Sequence, residues 1–330
     1  MTSQPPPLPR ARGRLDIPGF TLGHGTDRRG LTGVTVVLCP QGAVGAAEVR
    51  GSATGTRQFD SLVKPHHIAP SVHALVLAGG SGFGLAAADP VAEWLESRGH
   101  GLPTPLGVVP LVPTAILYDL GLGDPRARPS RDLVASALAG AAGGRIACGS
   151  VGAGTGATVG KARGLECAMK GGFGFASLRV PGGPTVAAAA AVNAFGDVRD
   201  PASGRLVAGC RAAPRSLALV GADRVLAALP PDTRHPWEGA TTLAVVLTDA
   251  ALDKLGALKV CQMAFGGLYR TLVPALGLYD GDLVATLALG AVRAPLHQVG
   301  VLAEAAVVAA ILRAVRAADG FGMLPAARDL

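Results

Sequence analysis

A threonine hydroxyl is a weak nucleophile unless a base sits beside it. Thr241 is the residue of this sequence best placed to acquire one. It follows Gly239 and Ala240, and it opens the apolar run TTLAVVLT (241–248) directly after the Pro-rich, polar stretch LAALPPDTRHPWEGA (226–240), which carries Trp237 and Glu238. A chain cut before Thr241 would present an α-amine, with a pKa of about 7.7–8.0, within hydrogen-bond reach of the terminal hydroxyl. Small residues at the cut let the backbone take the strained turn that self-cleavage requires. Thr242 faces the other side of an extended strand, so only one of the two can point into a given site. The same residues also fit an ordinary strand start after a domain boundary.

Other motifs fail on inspection. GAGTGATVGKA (152–162) has Thr155 where a phosphate loop needs glycine, and Ala162 where it needs a metal-binding hydroxyl. Gly152, Gly154 and Ala157 fit the looser dinucleotide fingerprint, but no acid follows near the required spacing. Gly79-Gly80-Ser81-Gly82-Phe83 misses the nucleophile elbow by its last residue, although Ser81 lies on a predicted strand-to-helix turn whose N–H groups would point outward. The seven histidines show neither HExxH nor HxH spacing, so no metal and no cofactor is expected.

A nucleophile on a strand needs a core around it, and the composition supplies one. Of 330 residues 49% are hydrophobic, only 4% are aromatic, and 47 are glycine, which predicts a core of Ala, Val and Leu with frequent turns. The net charge of +7 owes three charges to Arg10, Arg12 and Arg14 in a Pro-rich N-terminal tail, and the remaining basic residues are scattered, so nucleic-acid binding is not expected. Five widely spaced cysteines without a CxxC pair fit a reducing compartment. The N-terminus has no apolar signal region, and Val299–Ala317 carries Glu304, Arg313 and Arg316, so a cytoplasmic protein without a membrane span is expected.

Pattern and turn chemistry place the elements. Val34–Val37 and Ala46–Val49 read as a hairpin closed by Pro40–Gly42, and His73–Ala78 as a buried strand running into the Gly79–Gly84 turn. Leu85–Arg98 reads as a helix, with Pro90 kinking it or marking its first turn, and Gly99 ending it. Pro184–Asn193, Thr241–Thr248 and Leu283–Leu289 are further strands, and two helices fit near 250–270 and 298–317. Mixed elements without an internal repeat suggest layered sheets covered by helices.

Nine ordered segments carry a family likeness: IPGFTLGHGTD (17–27), TVVLCPQGA (35–43), LVLAGGSGFGLAAAD (75–89), VPTAILYDL (112–120), VGAGTGATVGK (151–161), MKGGFGFAS (169–177), AAVNAFGDV (190–198), TTLAVVLTDAAL (241–252) and YDGDLVATLALG (279–290). The chain resembles the L-aminopeptidase/D-Ala-esterase-amidase family, self-cleaving N-terminal-nucleophile hydrolases that include β-aminopeptidases and nylon-oligomer hydrolases. The resemblance implies an α/β fold, a four-layer α-β-β-α sandwich. The Pro- and Arg-rich composition of residues 1–14 reads as a disordered tail, and the resemblance implies one catalytic domain over 15–330, cut between Ala240 and Thr241 into chains 1–240 and 241–330.

Thr241 would then be the nucleophile, and Asp280 and Asp282 the acidic pair that orients it and its amine. Their i, i+2 spacing puts both carboxylates on one side of an extended segment; without the resemblance they would be a surface turn. Asn193 matches the active-site asparagine, an oxyanion donor. Tyr118 matches the active-site tyrosine, and Lys161 a lysine of the nylon-hydrolase branch, with Lys170 a weaker candidate for that role. Ala240 departs from the Gly or Asn expected before the cut, which bears on the rate of self-processing. The implied activity is hydrolysis of small peptides, amino-acid amides or amide oligomers without a cofactor, by a homo-oligomer (tetramer or larger) of cleaved heterodimers. Nylon-type 6-aminohexanoate hydrolysis is one alternative. The stretch EGAT (238–241) also resembles ornithine acetyltransferases, a second alternative, and an uncut binding protein is a third.

Overall fold

The computed structural model describes residues 7–233 and 239–330. Two sheets form from the apolar runs. The first contains β1 (Thr21–Asp27), the N-terminal half of β2 (Thr32–Val49), β3 (Val72–Ala78) and β4 (Thr114–Ile116), with the short strand Gly55–Arg57 at its edge. The second runs in the order β5 (Gly172–Arg179), β6 (Thr185–Asn193), β7 (Thr241–Ala250), β8 (Leu283–Val292) and then the C-terminal half of β2.

β2 thus belongs to both sheets: residues 34–38 pair with β3 and residues 44–49 with β8. The hairpin expected at Pro40–Gly42 does not form. The chain continues as one strand whose register slips between Leu38 and Ala43, with Gly42 at a φ of 89°. Proline cannot donate to a ladder and is tolerated at a bulge, so this triplet bends the strand from one sheet into the other.

Side-chain alternation assigns the layers. In β3, Leu75 and Leu77 face inward while Ala74 and Val76 face outward; in β7, Leu243 and Val245 face inward while Ala244 and Val246 face outward. The inward sets meet Phe173 and Phe175 between the sheets. The outward set of the first sheet packs under α1 (Ala88–Glu96) and α2 (Arg131–Ala139), and that of the second under α3 (Lys254–Thr271) and α4 (Leu296–Arg316). The result is an α-β-β-α sandwich. The five alanines of β6 and the glycines of β5 explain how closely α4 lies: a Cβ at Gly174 would stand 1.9 Å from the Ala310 carbonyl oxygen. α4 is long and apolar enough to cross a bilayer, but much of it is buried against this sheet.

The helices fall close to their expected bounds. Asp253 caps α3 by accepting from the Gly256 N–H at 2.6 Å. Residues 81–87 form a 3-10 turn before α1, which leaves Pro90 in the first turn of α1, where its missing donor costs nothing. The N-terminal tail is shorter than expected: the Arg12 backbone exchanges two hydrogen bonds of 2.8 Å with Ser177, and Arg313 donates to the Ala11 carbonyl at 2.9 Å. Backbone pairing and the packing of Ala11 against the core under α4 hold that stretch. Of the linker 226–240, Trp237 and Glu238 lie outside the described residues.

Candidate active site

Topology, not sequence proximity, assembles the site. β7 runs antiparallel to β6, which sets Thr241 opposite Asn193. β7 runs parallel to β8, which carries residues 280–282 alongside 240–242, with a bridge between Ala240 and Asp280. Thr241 is buried, and its Oγ–H donates to the carbonyl oxygen of Ala240, the acyl group it would attack. The N–H of Gly281 donates to that same oxygen at 3.0 Å. A backbone donor aimed at a carbonyl stabilises the negative charge that develops when the carbon is attacked.

Asp280 and Asp282 are each 1% exposed, so the surface-turn reading of this stretch does not hold. Asp282 accepts from the N–H of Thr242 at 2.6 Å and of Leu276 at 3.3 Å. Asp280 accepts from the N–H of Gly277 at 2.6 Å and of Phe195 at 3.2 Å. Burial pushes both carboxyls above the ordinary carboxylate range, and the charge of Asp280 raises Asp282 further. The nearby Lys161 charge and the donated N–H groups oppose this. Residues 50–53 brace the pair from outside. The Arg50 and Gly51 N–H groups reach the Asp282 carbonyl at 3.1 and 3.0 Å, and the Ala53 N–H reaches that of Asp280 at 3.1 Å.

Asn193 is held at both ends of its amide. Its Nδ2 donates to the Tyr118 carbonyl at 2.7 Å, and its Oδ1 accepts from the Thr158 N–H at 2.9 Å and from Lys161 Nζ at 3.2 Å. Lys161, 2% exposed, also donates at 3.0 Å to the carbonyls of Thr158, Asn193 and Ala194. The ring of Tyr118 lies over Gly239, where a Cβ would meet Tyr118 Cγ at 2.5 Å, so the residue two before Thr241 has to be small. A pocket of about 180 Å³, lined by Phe195, Leu226, Gly277, Leu278 and Tyr279, opens beside the amides that cradle Asp280.

The sequence profile of peptidase family S58 matches residues 15–323. The chain belongs to peptidase family S58. Among its relatives, an uncharacterized aminopeptidase of Mycobacterium leprae is 38% identical, over 94% of this chain and 88% of that one. A 6-aminohexanoate-oligomer endohydrolase of Paenarthrobacter ureafaciens is 28% identical, over 82% of this chain and 72% of that one. Among solved structures, a β-aminopeptidase of Burkholderia sp. superposes with a TM-score of 0.67 at 22% identity, covering 94% of this chain and 89% of that one. The L-aminopeptidase D-Ala-esterase/amidase of Ochrobactrum anthropi, described as a variant of the Ntn hydrolase fold, gives 0.67 at 19% identity, covering 93% and 86%. This S58 member therefore has the Ntn hydrolase fold, and as an S58 member it is a hydrolase.

Within the S58 chain, Thr241, Asp280, Asp282, Asn193 and Lys161 come together as one buried cluster, with the half-buried Tyr118 beside it. Lys170 does not join them; its Nζ donates to the carbonyls of Ala157 at 2.8 Å and Gly154 at 3.3 Å. At the Ser81 turn two N–H groups are turned inward, that of Gly80 to Asp119 at 2.6 Å and that of Ser81 to the Leu117 carbonyl at 3.0 Å. Sequence reasoning missed the Gly281 N–H and the brace at residues 50–53. A glycine between two acids was the only visible signal for the first, and a backbone amide leaves none for the second.

Proposed function

We propose that this S58 hydrolase activates itself by cutting the Ala240–Thr241 bond and then uses Thr241 to hydrolyse N-terminal residues from small peptides, amino-acid amides or amide oligomers. One observation carries this reading: Thr241 Oγ and the Gly281 N–H converge on the Ala240 carbonyl oxygen. In the first step Oγ attacks the Ala240 carbonyl carbon, the carbon–nitrogen bond breaks, and the hydroxyl proton passes to the departing Thr241 nitrogen. Water then cleaves the resulting ester, freeing the Ala240 carboxylate and restoring Oγ–H. In turnover the free α-amine takes the Oγ proton as Oγ attacks a substrate amide and returns it to the leaving amine, and water then cleaves the acyl ester on Thr241, releasing the carboxylic acid and restoring Oγ–H. Asp280 and Asp282, buried with a single nearby lysine, favour a substrate that carries a cationic amine. The small apolar pocket beside Asp280 suits a modest side chain.

Nylon-type amides are the second reading, supported by Lys161 in the cluster and by the oligomer-hydrolase relatives. Acetyl transfer to glutamate has less support. A dicarboxylate acceptor calls for fixed guanidinium groups, whereas Arg211, the one arginine buried among the described residues, is directed at backbone carbonyls, among them Glu166 at 2.6 Å and Pro214 at 2.5 Å.

The deciding experiment sets purified wild-type protein and Thr241→Ala against α- and β-aminoacyl anilides, 6-aminohexanoate oligomers, and N-acetylornithine with glutamate. We expect two fragments with Thr241 at the new N-terminus, hydrolysis of an aminoacyl amide, and neither cutting nor hydrolysis by Thr241→Ala. An intact wild-type chain that hydrolyses amides at full rate, or N-acetylornithine as best substrate with glutamate accelerating its turnover, overturns the reading.

A further inference from the structure

The pocket beside Asp280 is lined from three segments that are distant in sequence: Phe195, Leu226 and the run 277–279. All three are tied to one fully buried residue, Asp197, which has no part in the chemistry above. Phe195 lies two residues before it. Leu226 lies one helical turn after Ala222 in the short helix Ala222–Ala227, and the Ala222 N–H donates to Asp197 Oδ2 at 2.6 Å. The run 277–279 follows Leu272 and Val273, which pair antiparallel with Val198 and Asp197. A Cβ on Gly196 would lie 2.2 Å from the Pro274 carbonyl oxygen, so these two segments close on each other as tightly as glycine allows.

The carboxylate has two backbone partners. Its Oδ1 accepts from the Cys210 N–H at 2.6 Å, and a Cβ on Gly209 would lie 2.2 Å from that oxygen. Gly221, ahead of the short helix, has no side chain to cap it, so a carboxylate from another segment meets the first helical amide. Phe195, Cys210 and Ala222 share one apolar cluster, with Leu226 packed against it. We propose that Asp197 is a positioning residue that clasps the helix carrying Leu226 to the strand that follows Phe195, and so sets the width of the pocket that receives the side chain of the substrate's N-terminal residue. It acts through these walls, since it does not itself line the pocket. Its carboxyl is pushed up to about 6, by burial first and then by the charge of Asp223, against the two donated N–H groups and Arg199. The Cys210 thiol, raised to about 11 mainly by burial, stays neutral. At neutral pH the carboxylate is thus ionised, the form that accepts from both amides, and a proton would occupy one of the oxygens they need.

This inference rests on the proposed use of Thr241 on aminoacyl substrates. The test uses the full-length, self-processed protein, with kcat and KM measured on leucyl and glycyl anilides and folding followed by circular dichroism. Only the leucyl substrate has a side chain to place. Asp197→Asn turns a donor towards one of the two amides, and it should lower the leucyl-to-glycyl ratio of kcat/KM by about tenfold, chiefly through the leucyl KM. In a Leu226→Ala background the same substitution should change the ratio far less, because the wall through which it acts is gone. An unchanged ratio in folded Asp197→Asn, or an equal loss on both substrates, overturns the proposal. If Asp197→Asn does not fold, the wild type is read across pH. The titration of the shared Thr241 site cancels in the ratio, which should fall as pH drops through about 6; a flat ratio overturns the proposal. Thr241→Ala, measured alongside, keeps the two readings apart, since activity that survives in it refutes the nucleophile and not the clasp.

Discussion

Asp282 grips the amide that directly follows the nucleophile. Replacing it by asparagine keeps a side chain of the same size but removes the charge, and one of its two acceptor oxygens becomes a donor facing the N–H of Thr242 or Leu276. Asp282→Asn should slow self-cutting and turnover by about two orders of magnitude or more, the usual scale for losing a proton-handling or orienting group, while the protein stays folded; band ratios over time and kcat read this out. The same buried acids set a pH dependence of stability. Both carboxyls lie above their ordinary range in the folded chain, so the folded state binds more protons than the unfolded one. Their contribution is fully present below the unfolded carboxylate value of about 3.9 and is lost as pH rises through the raised values. In the uncut Thr241→Ala protein the urea midpoint should therefore contain a term that falls from acid towards neutral pH. Adding Asp282→Asn should flatten that fall, and an identical pH profile in the double variant would count against it.

Between residues, the decisive feature is how tightly the segment 280–282 is clamped. A Cβ on Gly281 would stand 2.7 Å from Thr241 Oγ and 2.9 Å from the Ala53 carbonyl oxygen, and one on Gly51 would stand 2.2 Å from the Asp282 nitrogen. Gly281→Ala should leave most of the protein uncut after times at which the wild type is fully processed. Gly82→Ala, where a Cβ meets nothing within 4 Å, should process normally. Much of this scale was legible in the sequence. The strand from Thr241, the glycine turn after Ala78 and both long helices followed from periodicity and turn residues, whereas Thr241 as a nucleophile rested on the family resemblance, because two small residues ahead of an apolar run fit an ordinary strand start equally well. The hairpin at Pro40–Gly42 was misread because Pro-Gln-Gly serves a tight turn and a bulge equally well. Which of these forms is decided by β3 and β8, the partners on either side, and one of them lies some 240 residues away in the chain. The clamp at 50–53 was invisible for a related reason: it is made of backbone groups, which every sequence offers.

At the scale of the whole molecule, the two halves of the proposed cut are interleaved. β7 and β8 belong to the C-terminal part, yet β6 of the N-terminal part pairs along one side of them and β2 along the other. The fragments should co-elute in size-exclusion chromatography and separate only in denaturant. Packing between the sheets supplies the grip; Phe175→Ala, at a fully buried position, should cost about 3–5 kcal/mol of stability, read from the urea midpoint of the uncut protein. The same interleaving changes the order of the folding reaction. Before the cut, β7 finds its place between β6 and β8 within one chain, at an effective concentration set by the linker. After it, a denatured enzyme would have to rebuild the middle of its own sheet from two separate molecules, so recovery should slow as the protein is diluted, whereas the uncut Thr241→Ala chain should refold at a rate independent of concentration. The cut would thus turn a unimolecular fold into a bimolecular one, and the mature enzyme would keep a structure that its pieces reach only by collision.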